Sequence, residues 1–375
     1  MHSLNLSILQ ISGPISNKLG GPSQVVRDVH DKISQLGFDT SRSKTLIIQN
    51  EKIANASGDY TYFKKPLFPN NYGFFIGKLP KTLEDLINRN QFDLVLLHGF
   101  FMWSTIWALR KFRNSHIIIM PHGSLEPYEM KRSKIRKQIF IFLFKFTLKK
   151  KTINFFVASE SERYGVTKHF NLSPVYVVGL GIELHENMPR NSKRETRDQI
   201  VSNSRIAKKK RIDLIIGALT WLPSNYELAV TGDTNNRLGK ALIKQSKSKG
   251  LDSRVSFQGH LNKKQVDKLL QNSDYLVLPS ENENFAISVA EALNHGIPVV
   301  LSSNVALSVH VENFRAGLII TELTEKSIAE AIETISFDYD NYSDRAREAA
   351  AKLDWNLVIL KWADSFSEIS RMQSG

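Results

Sequence analysis

The stretch that most constrains the fold runs from Asp274 to Ser302, DYLVLPSENENFAISVAEALNHGIPVVLS. Tyr275 to Leu278 is an apolar run with strand character, and Pro279-Ser-Glu-Asn-Glu-Asn284 breaks it with turn-forming residues. A helical period starts near Phe285, Gly296 ends it, and Pro298 follows two residues later. Val299 to Leu301 then returns to a strand. Two strands joined through a helix pair in parallel, and parallel sheets need helices on both faces. A helix that begins just past a strand's carboxyl end also points its unpaired N–H groups into the crevice where open α/β sheets bind ligands.

The same alternation recurs along the chain. Leu4–Ile11, Asp93–Gly99, His116–Gly123, Phe155–Ser159 and Val175–Gly179 read as strands of an N-terminal half. Val25, Val26, Val29, Ile33 and Leu36 follow a helical period that stops at Gly37. In the C-terminal half, strand-like runs at Glu227–Asp233 and Arg254–Gly259 alternate with helical ones at Leu238–Lys249 and Lys263–Asn272. At 375 residues and 42.6 kDa, the chain has the length of two domains. The expected class is α/β, with two doubly wound sheets. The polar, charged stretch from Glu186 to Arg197 is the expected linker.

Four groups of residues carry chemistry. Glu283 precedes the helix of the opening stretch and Glu291 lies within it; eight helical steps between them would span roughly 12 Å, with the side chains roughly 80° apart. A carboxylate accepts two hydrogen bonds at once, which suits vicinal hydroxyls, and the helix start between them suits phosphate oxygens. Arg205 and Lys210 lie five residues apart in a basic strand-to-helix turn, Arg205-Ile-Ala-Lys-Lys-Lys-Arg211. Cations there neutralise charge on a diphosphate leaving group. His98 and His122 end two buried parallel-type strands, each followed by glycine. Gly20 and Gly21, ahead of Pro22 as first helical residue, permit close backbone approach of an anion to a helix start. Each of these also has a structural reading: a solvated helix glutamate, a solvated basic loop, a hydrogen-bonded core histidine, a plain turn.

Together, the segment PSENENFAISVAEALNHGIPVV, the Arg–Lys spacing, the two His-Gly strand ends and the glycine pair resemble glycosyltransferase family four. The similarity extends over nearly the whole chain. It implies a GT-B fold, in which two Rossmann-like domains face each other across a cleft. Residues 1–184, with a last helix at about 356–375 packing back on them, would bind the acceptor; residues 185–355 would bind a nucleotide sugar. By resemblance, Glu283 contacts the donor sugar and Glu291 the ribose. Gly20, Gly21 and the backbone at Asn284, Phe285 and Ala286 would lie beside the diphosphate. His122 would lie close to the transferred sugar, with His98, Trp103 and Tyr128 on the acceptor side. The catalytic set is then His122, Glu283, Arg205 and Lys210. The sequence departs from the family at Ala286 and Arg211, where glycine is usual, and at Leu180, which replaces asparagine in the Gly179-Leu-Gly-Ile-Glu183 turn; Lys209 competes with Lys210 for the lysine role.

The resemblance implies transfer from a UDP- or GDP-linked sugar to a hydroxyl of a glycan or lipid-linked glycan. Anomeric configuration would be retained, by front-face attack, in cell-surface polysaccharide or lipopolysaccharide synthesis. A nucleotide-sugar epimerase of similar fold and a non-catalytic basic polyanion binder are the competing readings. No cofactor and no essential divalent metal are expected: Asp338-Tyr-Asp340 matches an Asp-x-Asp metal string but lies in a loop-like stretch away from the other motifs.

The net charge of +13 favours anionic partners. Nucleic acid is not expected, because no recognised nucleic-acid motif occurs. Cysteine is absent, which excludes disulfides and thiolate ligands. The N-terminus, MHSLNLSILQISG, is too polar for a signal peptide, and there is no run of 18 apolar residues. A cytoplasmic protein is expected. Lys131–Lys151, KRSKIRKQIFIFLFKFTLKKK, has nine basic residues around an apolar middle. It fits either a buried helix with solvated ends or a basic aromatic surface resting on the anionic inner face of a membrane.

Overall fold

The computed structural model describes residues 6–14, 21–48, 60–63, 91–112, 114–148, 151–184 and 198–372. The chain divides into two compact units: Met1–Leu180 with Val358–Gly375, and Gly181–Leu357. The expected linker, Glu186 to Arg197, lies outside the described residues.

Among the described residues of the first unit, seven parallel strands form one sheet: β1 (Ile8–Ser12), β2 (Lys44–Ile48), β3 (Tyr60–Phe63), β4 (Leu94–His98), β5 (His116–Met120), β6 (Ile153–Val157) and β7 (Val175–Val177), in the order 3-2-1-4-5-6-7. Strands β1, β4 and β6 are buried along their whole length, as strands covered on both faces must be. Helices α1 (Gly21–Lys32), α2 (Trp103–Lys111), α3 (Pro127–Lys131), α4 (Lys134–Leu148) and α5 (Glu160–Thr167) flank it. Helix α1 begins at Gly21, so Pro22 is its second residue. Phe100 anchors an edge-on aromatic core, with Phe140, Phe144 and Phe170 ring centroids 4.9–5.5 Å away.

The buried reading of 131–151 does not hold. Arg132 and Ser133, the latter at φ 56°, break the segment between α3 and α4. Helix α4 then buries one face, Lys137, Phe140, Ile141 and Phe144, and exposes Ile135, Ile139, Phe142, Leu143 and Phe146. An apolar run carries no periodicity to say which residues face the core, so only packing could separate the two faces.

The described residues of the second unit form six parallel strands: β8 (Asp198–Ser202), β9 (Tyr226–Thr231), β10 (Val255–Gly259), β11 (Tyr275–Leu278), β12 (Val299–Ser302) and β13 (Gly317–Ile320), in the order 10-9-8-11-12-13. Both sheets are thus doubly wound, and their strand order reverses between β1 and β4 and between β8 and β11, the positions where such sheets open a ligand crevice. Around the second sheet lie α6 (Ile212–Ala218), α7 (Arg237–Ser248), α8 (Lys263–Gln271), α9 (Ile287–Asn294), α10 (Ser308–Phe314), α11 (Glu325–Phe337) and α12 (Tyr339–Ala351).

Helix α9 ends as its sequence predicts. Ile297 N–H donates to the Ala292 carbonyl and Gly296 N–H to the Leu293 carbonyl, with Gly296 at φ 69°: a Schellman stop. A Cβ at Gly296 would also come within 2.6 Å of the Arg347 guanidinium, which would have to swing aside to admit it. Where the chain enters and leaves this unit, Ile182 and Trp355 exchange backbone bonds with Leu353 and Ile182. The last helix, α13 (Trp355–Arg371), contributes Trp362 and Phe366 to the first unit. Trp362 Nε1 donates to the Gly179 carbonyl at 3.2 Å, and both rings pack on Phe156.

Asp338-Tyr-Asp340 is not a loop. It is the junction of α11 and α12, with Tyr339 buried.

Candidate functional site

In the second unit the chain leaves β8 into a loop whose start is tied down. Ser204 N–H donates to Thr231 Oγ1, which donates in turn to Asn203 Oδ1 at 2.9 Å. The loop tightens into a 3-10 turn at Lys208–Lys210, and Arg211 connects it to α6 at φ 49°, in the left-handed region. The next strand across the reversal, β11, leaves into the loop that carries Glu281 and Glu283. The two loops are joined by backbone, Glu281 N–H donating to the Lys209 carbonyl at 2.8 Å. Glu283 is gripped as well: its N–H donates to Asn304 and its carbonyl accepts from Ala306, a short parallel bridge to the segment after β12.

On this frame Lys210 Nζ and Glu283 Oε1 meet at 2.6 Å, with Lys209 Nζ 3.9 Å from the same oxygen. Both side chains of the short pair are largely buried. Burial pushes the Lys210 ammonium below its ordinary pKa, against the attraction of Glu283. Arg205, exposed on the same loop, adds its repulsion in the same direction as burial.

Beyond Glu283, Asn284 is partly exposed and Phe285 and Ala286 are buried. Ala286 sits at φ 65° and forms the start of α9 without a side-chain cap. The first N–H groups of a helix have no partner within it, so this end presents donors with a partial positive charge. The helix starts at Ile287, and only the last four of the eight steps from Glu283 to Glu291 are helical. The separation derived above from eight helical steps is therefore wrong: about 6 Å of it is helix, and the loop supplies the rest. Glu291 is partly exposed on α9.

A cavity of about 710 Å³ is bordered by the same two loops and by α7, with Lys208, Arg211, Asp213, Arg237 and Glu281 among its walls. Lys210, Glu283 and Glu291 do not line it. Arg211 faces two carboxylates there, Asp213 at 3.0 Å and Glu281 at 3.7 Å.

In the first unit the two histidines are brought together. His98, the last residue of β4, and His122, in the turn after β5, are joined Nδ1 to Nε2 at 2.9 Å, with rings stacked 5.2 Å apart. His98 is buried and His122 partly exposed. Burial holds both well below the ordinary histidine pKa, His122 at about 4, so the pair is neutral at neutral pH. We assign the shared proton to His98 Nδ1. His98 Nε2 is buried without a hydrogen-bond partner among the described residues, and a bare lone pair there costs less than a stranded N–H.

His122 stands at φ 53°, and the turn is held by a group the sequence did not single out. The buried Glu162 carboxylate accepts from Gly123 N–H at 2.6 Å and from Ala158 N–H at 2.9 Å, tying the turn after β5 to the end of β6. The signal was present: Ser159-Glu-Ser-Glu162 opens a helix, and the Ser159 hydroxyl caps it by accepting from Glu162 N–H.

Gly20 lies outside the described residues, and Gly21 heads α1. Trp103 heads α2, and Tyr128 is exposed on α3. Among the described residues, no three His, Cys, Asp or Glu side chains cluster as a metal site would require, and no helix is long and apolar enough to cross a membrane.

Residues 185–353 match the family model described as "Glycosyl transferases group 1". The GDP-mannose:cellobiosyl-diphosphopolyprenol alpha-mannosyltransferase of Xanthomonas campestris is 21% identical over 282 residues, 73% of each chain. Among solved structures, the sucrose-phosphate synthase of Thermosynechococcus elongatus matches with a TM-score of 0.76 at 15% identity, covering 97% of this chain and 99% of that one. The Anabaena HepE protein in complex with UDP-glucose matches with a TM-score of 0.70 at 17% identity, covering 97% and 100%. The fold is that of GT-B glycosyltransferases, and residues 185–353 carry a glycosyl transferases group 1 domain.

Proposed function

We propose that the chain is a retaining glycosyltransferase of family four. It moves a hexose from a UDP- or GDP-linked donor to a hydroxyl of a glycan or lipid-linked glycan, in the cytoplasmic stage of cell-surface polysaccharide or lipopolysaccharide synthesis. The observation that carries this reading is the Lys210–Glu283 pair, set between the ends of β8 and β11 beside the uncapped start of α9. As a glycosidic bond to a diphosphate breaks, negative charge grows on the departing oxygens. A buried ammonium, the Arg205 guanidinium and helix-start amides stabilise that charge where little solvent competes. Glu283 accepts hydrogen bonds from sugar hydroxyls and Glu291 from the ribose.

The first unit takes the acceptor and contributes His122, Gly20 and Gly21, with His98, Trp103 and Tyr128 on the acceptor side. His98 holds the ring of His122 through the shared proton. A neutral imidazole at His122 offers a hydrogen bond to the sugar without placing a second cation there. Because Lys210, Arg205 and the helix start supply the positive charge, no divalent metal or other cofactor is needed, and transfer in excess chelator is expected to proceed at full rate.

Relatives support the donor and acceptor classes: the Xanthomonas protein is named for GDP-mannose and a diphosphopolyprenol, and HepE was solved with UDP-glucose. The test is titration of the protein with UDP-, GDP- and ADP-sugars, followed by product analysis with lipid-linked acceptors. One donor is expected to bind in the micromolar range, and Glu291→Ala to weaken it about tenfold, as loss of a charged hydrogen bond does. Failure of all three donors at millimolar concentration refutes the reading. Conversion of a donor to its epimer without acceptor assigns the fold to epimerisation instead.

A further inference from the structure

Helix α4 has two apolar faces, and the core uses one of them. At 100° per residue, Ile135, Ile139, Phe142 and Phe146 fall within about 60° of one another, and the buried set Lys137, Phe140, Ile141 and Phe144 is centred opposite them. The outward stripe is open to solvent: Ile135 is 74% exposed, Ile139 50%, Phe142 69% and Phe146 76%. That is on the order of 500 Å² of contiguous apolar surface, the size that marks an interaction site. Cations straddle it. Lys134 and Lys145 lie about 90° to one side and Arg136 about 90° to the other, all exposed, while Lys131 and Arg132 precede the helix.

Two lysines also touch the unit's own aromatic rings: Lys145, though exposed, has its Nζ 5.4 Å from the centre of the Phe170 ring, and Lys137 is buried. Lys137 points inward, its Nζ donating to the Glu129 carbonyl at 2.8 Å and lying 5.0 Å from the centre of the Phe101 ring. The surface charge is therefore carried by residues beside the stripe rather than behind it.

We propose that this face docks α4 on an anionic lipid bilayer, lying in the plane of the membrane. Ile135, Ile139, Phe142 and Phe146 enter the acyl boundary, and Lys131, Arg132, Lys134, Arg136 and Lys145 contact headgroup phosphates. The charge distribution selects this occupant. Residues 131–151 contain nine basic residues and no acidic one, so a second copy seated here would set cations against cations. Lipid satisfies the apolar stripe and its cationic borders together. The inference is independent of the donor assignment, since vesicle binding is read without any sugar present.

The test is co-sedimentation of the full chain with phosphatidylcholine vesicles, with and without about 30 mol% phosphatidylglycerol. Binding is expected on the anionic vesicles at about 0.05 M salt, at least about tenfold weaker on the neutral ones, and lost by about 0.5 M salt. Phe142→Ser with Phe146→Ser, and separately Lys134→Gln with Arg136→Gln and Lys145→Gln, should each weaken it about tenfold or more at an unchanged melting temperature. Leu172→Ser, which removes a 92% exposed leucine from elsewhere in the same unit, should bind as the parent does. A parent protein that stays in the supernatant at low salt overturns the proposal. So does a serine double variant that binds as well as the parent. A dimer that the serine variant dissociates, with no vesicle binding, assigns the face to a second copy.

Discussion

Replacing Glu283 by glutamine removes the charge that holds Lys210 and keeps the shape of the side chain. Its cost follows from an asymmetry in the pair. Among the described residues, Glu283 is the carboxylate bonded to Lys210, at 2.6 Å, whereas Glu283 has a second cation in Lys209, 3.9 Å away. Glu283→Gln therefore leaves a buried ammonium uncompensated, at the lower end of the range for a broken buried pair, about 3 kcal/mol. Lys210→Met leaves a carboxylate that Lys209 can move to neutralise, and should cost about 1–2 kcal/mol. The double variant removes both charges and should be no less stable than Lys210→Met, a coupling of at least about 3 kcal/mol. Hydrogen exchange at the amides of β8, β11 and α9, read at about pH 7.5, reports the second unit alone. Single variants that each cost less than about 0.5 kcal/mol, or a double variant equal to the sum within that margin, would show that the pair is not coupled in solution. The same series bears on function. Glu283→Gln should abolish transfer while binding nucleoside diphosphate at least as well as the parent, because Lys210 is then free for phosphate.

Two further predictions rest on backbone and titration. Ala286→Gly should stabilise the second unit by roughly 0.5 kcal/mol, since a left-handed alanine costs about 1–2 kcal/mol and glycine returns about 0.5–1 of that as unfolded-state entropy; a loss of stability in denaturant melts would mean that the alanine methyl group packs better than its φ suggests. The first unit should lose stability in acid. Folded His98 and His122 have lowered pKa values, so below about pH 6.5 the unfolded chain takes up protons first. Stability is complete above that pH and falls as the pH drops toward about 4; His122 alone removes about 2 kcal/mol by about pH 5, and His122→Asn, which tolerates the left-handed turn, should flatten the slope.

How far the sequence reaches depends on whether neighbours in space are also neighbours in pattern. The strand–helix–strand unit at 274–302 was legible because its turn, helix stop and apolar runs are all local, and the Schellman bonds at Gly296 and Ile297 follow directly. Strands β2 and β3 carry little local signal: LysThrLeuIleIle and TyrThrTyrPhe are five and four residues long, and their partners in the sheet provide the rest. The Lys210–Glu283 contact joins positions that both stood out, yet their meeting depends on β8 and β11 being adjacent, which is a property of strand order. The histidine pair is the same case on β4 and β5. Glu162 was hidden for a different reason: its role is to accept two backbone N–H groups, and a glutamate in the first turn of a helix looks the same whether it faces solvent or another loop.

Arg211 and Ala286 stood out as departures from glycine, and both adopt the left-handed conformation that glycine would take without strain. His122 does the same in the other unit. Three non-glycine residues at positive φ, each in a loop that leaves a strand's carboxyl end beside a candidate site residue, can persist only where the surroundings over-determine the backbone. Those surroundings are visible. Glu281 N–H is bonded to Lys209 beside Arg211, Glu283 is bonded on both sides to 304–306 ahead of Ala286, and Glu162 holds the amide next to His122. The loops that carry the charged and hydrogen-bonding groups are therefore built into each unit before any ligand arrives. A donor meeting them pays little to order them, so loss of a single side chain such as Glu283 should appear in the chemical step rather than in the ordering of the loop.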